Sequence, residues 1–236
     1  MIILGFNFAT ENSGLAVSMG AEPPVKGSQH EAPEGLPLSA LPQTAEKIYH
    51  GQTIKAEFLP GYLDELLQEN KLTLRDIDRL GIAIGPGAFT GLRLSLVTAK
   101  TIALALNIPL VPVSTLEALA LQYQAEAAGR RIRVLMTACR GESATALFDG
   151  NLQRLEPDHV LKTADIPGVI AAEETLLVDN RPADARSICA LAARAGHFLS
   201  RAEILKLTPV YSHESRVNYS AKPELRHLKI GLGRGG

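Results

Sequence analysis

Cysteine is nearly missing from this 236-residue chain: Cys139 and Cys189 stand far apart and lack any metal-type spacing, which excludes a disulfide framework and a cysteine-bound zinc site and suits a reducing cytosol. An excess of either charge is missing too. Lys plus Arg number 24 against 25 Asp plus Glu, for a formal net charge of -1. No overall field therefore draws the chain to nucleic acid or to an anionic membrane, and any RNA contact has to be local or made by a partner. Met1 to Thr10 holds a short apolar run without a basic leader or a small-residue cleavage pattern, so it reads as a strand with which the mature protein is expected to start. An uninterrupted bilayer-length run is absent as well, because Arg93, Lys100, Asn107 and several prolines break the apolar region from Gly81 to Ala120.

Hydrophobic residues make up 46% of the chain, enough for one large core or for two modest ones sharing a cleft. Ile2, Leu4 and Phe6 alternate with Ile3, Gly5 and Asn7. The turn signal Glu11-Asn12-Ser13-Gly14 and a second run, Leu15 to Ser18, complete an opening hairpin. Residues 20–45 then change character. Pro23, Pro24, Pro33, Pro37 and Pro42 among Gly, Ser and Glu neither join a sheet nor continue a helix, and the stretch reads as a long surface loop, either a functional cover or disordered.

After Pro60, the residues Leu63, Leu66 and Leu67 recur at helical spacing, predicting a helix to about Asn70, and Thr73 suits a short capped turn. Leu80 to Ile84 reads as a buried strand stopped by Gly85-Pro86-Gly87. A long helix follows from about Thr90 to Leu106, ended by Asn107 and Pro109. Leu110 to Val113 is another strand, and Ser114 or Thr115 can cap a helix to about Ala128. In the second half, Arg131 to Met136 and Ser143 to Phe148 read as strands, Asp149-Gly150-Asn151 as a hairpin turn, and Thr175 to Val178 as a further strand. Asp184 to Ser200 reads as a helix with Ile188, Leu191, Ala195, Phe198 and Leu199 on one face. The chain is thus α/β, with mixed sheets flanked by helices. A hairpin followed by helix and strand in each half implies two related lobes, expected over 1–112 and 113–236.

The run from Gly85 to Arg93 sits between a buried strand and a long helix, where backbone N–H groups and a helix dipole can hold an anion. The plainer reading, favoured for a glycine-rich turn taken alone, is that the glycines supply positive φ and close approach while Thr90 caps the helix. It is not a P-loop, since no Lys-Ser or Lys-Thr follows. Along the helix, Leu92, Leu96, Ala99, Ala103 and Leu106 share a face that would cover a sheet. Leu94, Thr98, Thr101 and Ala105 form a nearly opposite face that is small and uncharged. A surface helix is polar where it meets water, so this second face is expected to be buried by the same chain or by a partner's helix. Leu63 and Leu66 on the helix after Pro60 offer a neighbouring apolar face for such association.

The segment Gly85-Pro86-Gly87-Ala88-Phe89-Thr90-Gly91-Leu92-Arg93 closely resembles the signature of the TsaB (YeaZ) family, and the resemblance continues through Thr98-Ala99-Lys100, Leu106 to Leu110 and Val113 to Leu119. It covers about half the chain: the opening strands and residues from about His50 to Ala120. It implies the two-lobed ASKHA (actin, hexokinase and RNase H-like) fold and a role in making threonylcarbamoyladenosine beside the tRNA anticodon. It also implies pairing through the first-lobe helices with a catalytic TsaD-type relative, alongside a TsaE-type ATPase, and a homodimer through a similar surface. tRNA contact would be indirect, through the complex.

The same resemblance bears on catalysis. Asn7 stands where actin-like enzymes place an aspartate that arranges magnesium and phosphate, and an amide is a poor ligand for a hard cation. Thr137, in Thr137-Ala138-Cys139-Arg140-Gly141-Glu142, stands where an acid is common. His30, His50, His159, His197, His213 and His227 contain no His-x-x-x-His pair, so no histidine metal site and no catalytic residue are assigned. Should nucleotide bind, the candidates are Asn7, Thr10, Gly85, Gly87 and Thr90, with ATP or ADP and magnesium expected instead at the partner subunit. The leading reading is a cytoplasmic, non-catalytic scaffold; the alternatives are an actin-like kinase or ATPase, a purely structural homodimer and, weakest, a peptidase, for which no nucleophile motif exists. The basic tail, with Arg216, Lys222, Arg226, Lys229 and Arg234 against Glu224, reads as solvated, with contact to tRNA phosphate as the alternative.

Overall fold

The computed structural model describes residues 1–10, 12–20, 44–50, 58–139, 141–171 and 175–211. Alternating apolar residues form the expected hairpin of β1 (Ile2–Asn7) and β2 (Asn12–Met19), antiparallel with Ile2 opposite Met19 and Asn7 opposite Gly14. A third strand, β3 (Thr44–His50), pairs antiparallel with β2. The sequence reading had no strand there. Thr44 and Ala45 leave the expected 20–45 loop because β2 still has an edge to pair, while 21–43 lie outside the described residues. β4 (Arg79–Gly85) and β5 (Leu110–Ser114) complete a five-stranded sheet in the order β3-β2-β1-β4-β5, with β4 parallel to both β1 and β5.

Two helices cover one face of this sheet. α1 (Leu59–Glu69) has Pro60 in its first turn, and α2 (Phe89–Leu106) ends at Asn107, whose φ of 56° is the left-handed stop the sequence announced. Between them Thr73 and Asp76 close a short capped turn, the Asp76 carboxylate accepting both the Thr73 backbone N–H and its hydroxyl. Leu63 and Leu66, expected at a partner surface, are only 5% and 1% exposed. They pack with Leu67 into the core formed by Phe6, Leu15, Val17 and Ile82, because the wide apolar face of α1 is what this side of the sheet needs to leave water. Thr90 lies within the first turn of α2 and does not cap it; Ala88 holds the cap position.

The second half builds a four-stranded sheet in the order β8-β7-β6-β9 from β6 (Arg131–Cys139), β7 (Glu142–Phe148), β8 (His159–Lys162) and β9 (Thr175–Asp179). β6 and β7 pair antiparallel, and β9 runs parallel to β6. After β7 the Asp149 carboxylate accepts the backbone N–H groups of Asn151 and Gln153, which makes the turn. α3 (Thr115–Gln122) and α4 (Gln124–Ala127) divide the single helix expected to reach Ala128. Leu116 and Leu119 of α3 pack on Ile132, Val134 and Phe148. Neither Ser114 nor Thr115 caps α3 with its side chain: the Ser114 hydroxyl donates to Asp158, and the Thr115 hydroxyl is buried without a partner among the described residues. A short α5 (Ile166–Ala171) precedes β9.

α6 (Ala185–Arg194) and α7 (Arg201–Lys206) return to the first sheet. α6 crosses its second face, between that sheet and α3, while α7 packs beside α2. The helix expected to run to Ser200 stops at Arg194, so Ala195, Phe198 and Leu199 are not helical. Buried Arg79 of β4 explains the stop: its guanidinium donates to the carbonyls of Ala192, Ala193 and Ala195 and lies 4.3 Å from the centre of the Phe198 ring. These are the orphan carbonyls of the helix end, and a cation is favoured there. Ser200 and Glu203 then start α7 as a capping box. The boundary expected between 112 and 113 falls inside β5.

Tyr49 of β3 stacks on Tyr62 of α1 with ring centroids 3.9 Å apart, and its hydroxyl is buried with no hydrogen-bond partner among the described residues. Burial pushes its pKa up to about 12. Tyr49→Phe should therefore keep the stack and relieve an unsatisfied group, leaving stability unchanged or raised by up to about 1 kcal/mol in urea denaturation; a loss of that size would show that the hydroxyl is satisfied in solution.

Candidate functional site

Two places deserve comparison: the end of β1, where an actin-like enzyme would work, and the outward side of α2. At the first, Asn7 is 0% exposed, and both ends of its amide are engaged. Its nitrogen donates to the Ala183 carbonyl at 2.6 Å, and its oxygen accepts the Ala9 N–H at 3.2 Å. The Thr10 hydroxyl reaches the same Ala183 carbonyl at 3.5 Å. Asn7 thus ties β1 to the start of α6, with one of its N–H donors and one lone pair of its oxygen used within the chain.

The glycine turn is closed by the chain itself. Gly85 has φ of 117°, and a Cβ there would come within 2.2 Å of the Val210 carbonyl. At Gly87 a Cβ would come within 2.3 Å of the Ala9 carbonyl, whose oxygen accepts the Ala88 N–H at 2.7 Å. Close backbone approach is therefore the work of both glycines. Thr90 lies exposed one turn beyond; two of the five nucleotide candidates are packing glycines, and the Asn7 amide is hydrogen-bonded within the chain.

Carboxylates crown the neighbouring helix start. Asp184 caps α6 by accepting the Ser187 N–H and hydroxyl, and Glu46 of β3 accepts the Ala185 N–H at 2.7 Å. Arg186 bridges Glu46 at 3.0 Å and Asp184 at 3.1 Å. Burial, and then the Asp184 charge, hold the Glu46 carboxyl above its ordinary range despite those bonds. The helix dipole is thus already answered by this chain's own acids. Cys189 faces the carbonyls of Ile3 and Ala16 at 0% exposure, and burial raises its thiol, so it is no nucleophile. The Cys139 and His50 side chains, with His30, His213, His227 and the tail from Arg216, lie outside the described residues.

α2 is a different kind of surface. By length and composition it is the described helix apolar enough to cross a membrane, yet Leu92, Leu96, Ala99 and Ala103 are committed to covering the sheet. Its opposite side is bare. Leu94 and Thr98 are half-buried, Thr101 and Ala105 are exposed, and Val97 is 64% exposed. Val97 was absent from the sequence-based set, although it stands three residues after Leu94 and four before Thr101, on the same stripe. The flanking cations are held by hydrogen bonds within the chain: Lys100 donates to the carbonyls of Leu205 and Leu207 at the end of α7, and Arg93 donates to the Tyr211 hydroxyl while lying 3.7 Å over the Phe89 ring. Leu94 packs against the core, while Val97, Thr101 and Ala105 are open to solvent among the described residues.

The family model described as TsaD, tRNA N6-adenosine threonylcarbamoyltransferase, matches residues 54–181, more than half of the chain. A tRNA threonylcarbamoyladenosine biosynthesis protein TsaB from Bacillus subtilis is 36% identical over 107 residues, covering 42% of this chain and 44% of that protein. A tRNA N6-adenosine threonylcarbamoyltransferase from Methylorubrum extorquens is 34% identical over 128 residues, 51% of this chain and 35% of that one. The chain thus spans less than half the length of the curated relatives it matches. Among solved structures, a Pseudomonas aeruginosa protein similar to the peptidase YeaZ superposes with a TM-score of 0.68 at 21% identity, covering 90% of this chain and 99% of that one. That likeness shows the expected two-sheet ASKHA-like fold. The family model covers more than half of the chain, and the chain belongs to the TsaD (glycoprotease-like) family, with TsaB proteins among its relatives.

Proposed function

We propose that this chain is a non-catalytic accessory subunit in the biosynthesis of threonylcarbamoyladenosine in tRNA, and that it docks a TsaD-type threonylcarbamoyltransferase on the outward side of α2. The observation that carries the reading is the uncharged stripe of Leu94, Val97, Thr98, Thr101 and Ala105, in which Val97, Thr101 and Ala105 are open to solvent. The TsaB relatives supply the pathway. The Asn7 amide and the carboxylates at the start of α6 speak against phosphoryl transfer by this chain, because a buried neutral amide is a poor ligand for magnesium and the carboxylates face that helix's own N–H groups. ATP or ADP with magnesium then belongs to the partner subunit, with a TsaE-type ATPase completing the machinery in the cytoplasm. A homodimer uses the same stripe when the partner is absent.

The test is reconstitution. The chain is mixed with the TsaD-type protein of the same organism, the mixture is sized, and threonylcarbamoylation of tRNA is measured with the pathway's other components present. The reading expects a heteromeric complex, modification that requires this chain, and no ATP hydrolysis by the chain alone. Magnesium-dependent hydrolysis at an ordinary enzymatic rate by the isolated chain would sink it in favour of an actin-like ATPase.

A further inference from the structure

Three cations line the seam between α2 and α7 without a carboxylate to meet them. Arg93 donates to the Tyr211 hydroxyl, Lys100 to the carbonyls of Leu205 and Leu207, and Arg201 to the Leu104 carbonyl at 3.4 Å. Every one of these acceptors is neutral, so each side chain keeps its full charge, and no acid is paired with any of the three among the described residues. Glu203 of α7 turns to its own helix start, where it accepts the Ser200 N–H. Partial burial holds the Lys100 ammonium below its ordinary range, a cost that an anion beside it would offset. Arg93, Lys100 and the Leu104 anchor of Arg201 mark out a track of about 16 Å along α2, at 1.5 Å of rise per residue. The track ends in aromatic side chains. Phe89 is 52% exposed, with its ring centroid 5.0 Å from that of Tyr211 and 3.7 Å from the Arg93 guanidinium. From Tyr211 the sequence runs on into the tail, where Arg216, Lys222, Arg226, Lys229 and Arg234 outnumber Glu214 and Glu224.

Resting on the tRNA-modification reading above, we infer that this seam is a direct contact for single-stranded RNA, an unpaired stretch of the substrate tRNA whose phosphates lie along Arg93, Lys100 and Arg201 while one base stacks against Phe89. Cations spaced along a groove hold a phosphate backbone, and an open ring beside a guanidinium holds a base that is not already stacked in a duplex. The aromatic end selects RNA over an acidic peptide, which would use the cations and leave Phe89 idle. It also selects a single strand over a duplex, whose bases are stacked on one another. tRNA contact is then made by this chain itself and not only through the complex, on the flank of α2 beside the docking stripe. The net charge of -1 gives no overall attraction, so the pull on RNA is confined to this track.

The experiment measures binding of a fluorescent single-stranded RNA with the anticodon-loop sequence, and of a duplex RNA of equal length, to the full chain and to its mixture with the TsaD-type protein of the same organism, across a salt series. The variants are Phe89→Ala and the pair Arg93→Gln with Arg201→Gln; all three side chains are exposed, so both variants should fold. The expected results are a preference for the single strand, a loss of about tenfold in affinity for Phe89→Ala, and a logarithmic salt slope flatter by about 0.7 for each arginine replaced. No RNA binding by the unaltered chain, or equal binding by the variants, overturns the seam; in the second case the RNA lies on the tail. Equal displacement by a polyglutamate peptide of the same charge, with no effect of Phe89→Ala, overturns it too and makes an acidic protein segment the occupant. Complex formation in the same samples keeps the two levels of inference apart. If the unaltered chain binds the TsaD-type protein while the variants bind RNA as it does, the seam is wrong and the docking reading stands. If the unaltered chain binds RNA as expected but forms no complex, the docking reading falls and the seam stands.

Discussion

Val97→Arg should lower affinity for a TsaD-type partner by about 100-fold or more and abolish the support this chain gives to tRNA threonylcarbamoylation, while thermal stability stays within about 0.5 kcal/mol of the parent. The asymmetry follows from where Val97 sits. In the isolated chain it is 64% exposed, so an arginine there is solvated and costs the fold almost nothing. In a complex the same position lies mid-ridge, between Leu94 and Thr101, where a guanidinium would be desolvated with no carboxylate to meet it. Ala105→Arg, one turn beyond Thr101, should behave the same way to a lesser degree. Size-exclusion chromatography of the mixture reads the binding, and a denaturation curve of the single protein reads the fold. Loss of both together would mean that the residue supports the core and not an interface.

The second large effect concerns the fold. Gly5 of β1 and Gly81 of β4 sit side by side in register and point at the same helix, α6. A Cβ on Gly5 would meet the Cys189 sulfur at 2.7 Å and the Ala185 carbonyl at 2.8 Å. On Gly81 it would meet Ala192 Cβ and Ile188 Cγ2, both at 2.9 Å. The two glycines form a flat strip on which α6 lies closer than side chains allow. Gly81→Val should push α6 outward, loosening the Arg79 contacts at its C-terminal end and the packing against α3, at a cost of about 3 kcal/mol in chemical denaturation. Gly5→Val should cost as much and also strain the Asn7–Ala183 tie. A change below about 0.5 kcal/mol at both positions would show that α6 is not seated against this strip.

These particulars show which features can be read from a sequence. The opening hairpin, the capped turn at Thr73 and the α2 terminus at Asn107 are local events, fixed by alternation, a hydroxyl three residues before an acid, and a residue that tolerates left-handed φ. The glycine turn and the uncharged stripe of α2 were legible for the same reason, since each lies within one element. What escaped was set by distant partners. β3 forms because β2 has an edge to pair, α6 stops where Arg79 reaches it from 113 residues away, and Asn7 is occupied by a carbonyl 176 residues further on. Leu63 and Leu66 show the remaining limit: periodicity finds an apolar face but cannot tell a face meant for the chain's own sheet from one meant for another chain. Exposure in the folded chain makes that distinction, and it also brought Val97 into the set.

Placing a photo-reactive amino acid at Val97 or, separately, at Leu155 tests the central claim most directly, because both side chains are exposed and Leu155 belongs to the second lobe, away from α2. Each variant is irradiated with the TsaD-type partner of the same organism. The account predicts a cross-linked heteromer from position 97 and none from position 155. Cross-linking from 155 with none from 97, in a mixture that still forms the complex, would contradict it.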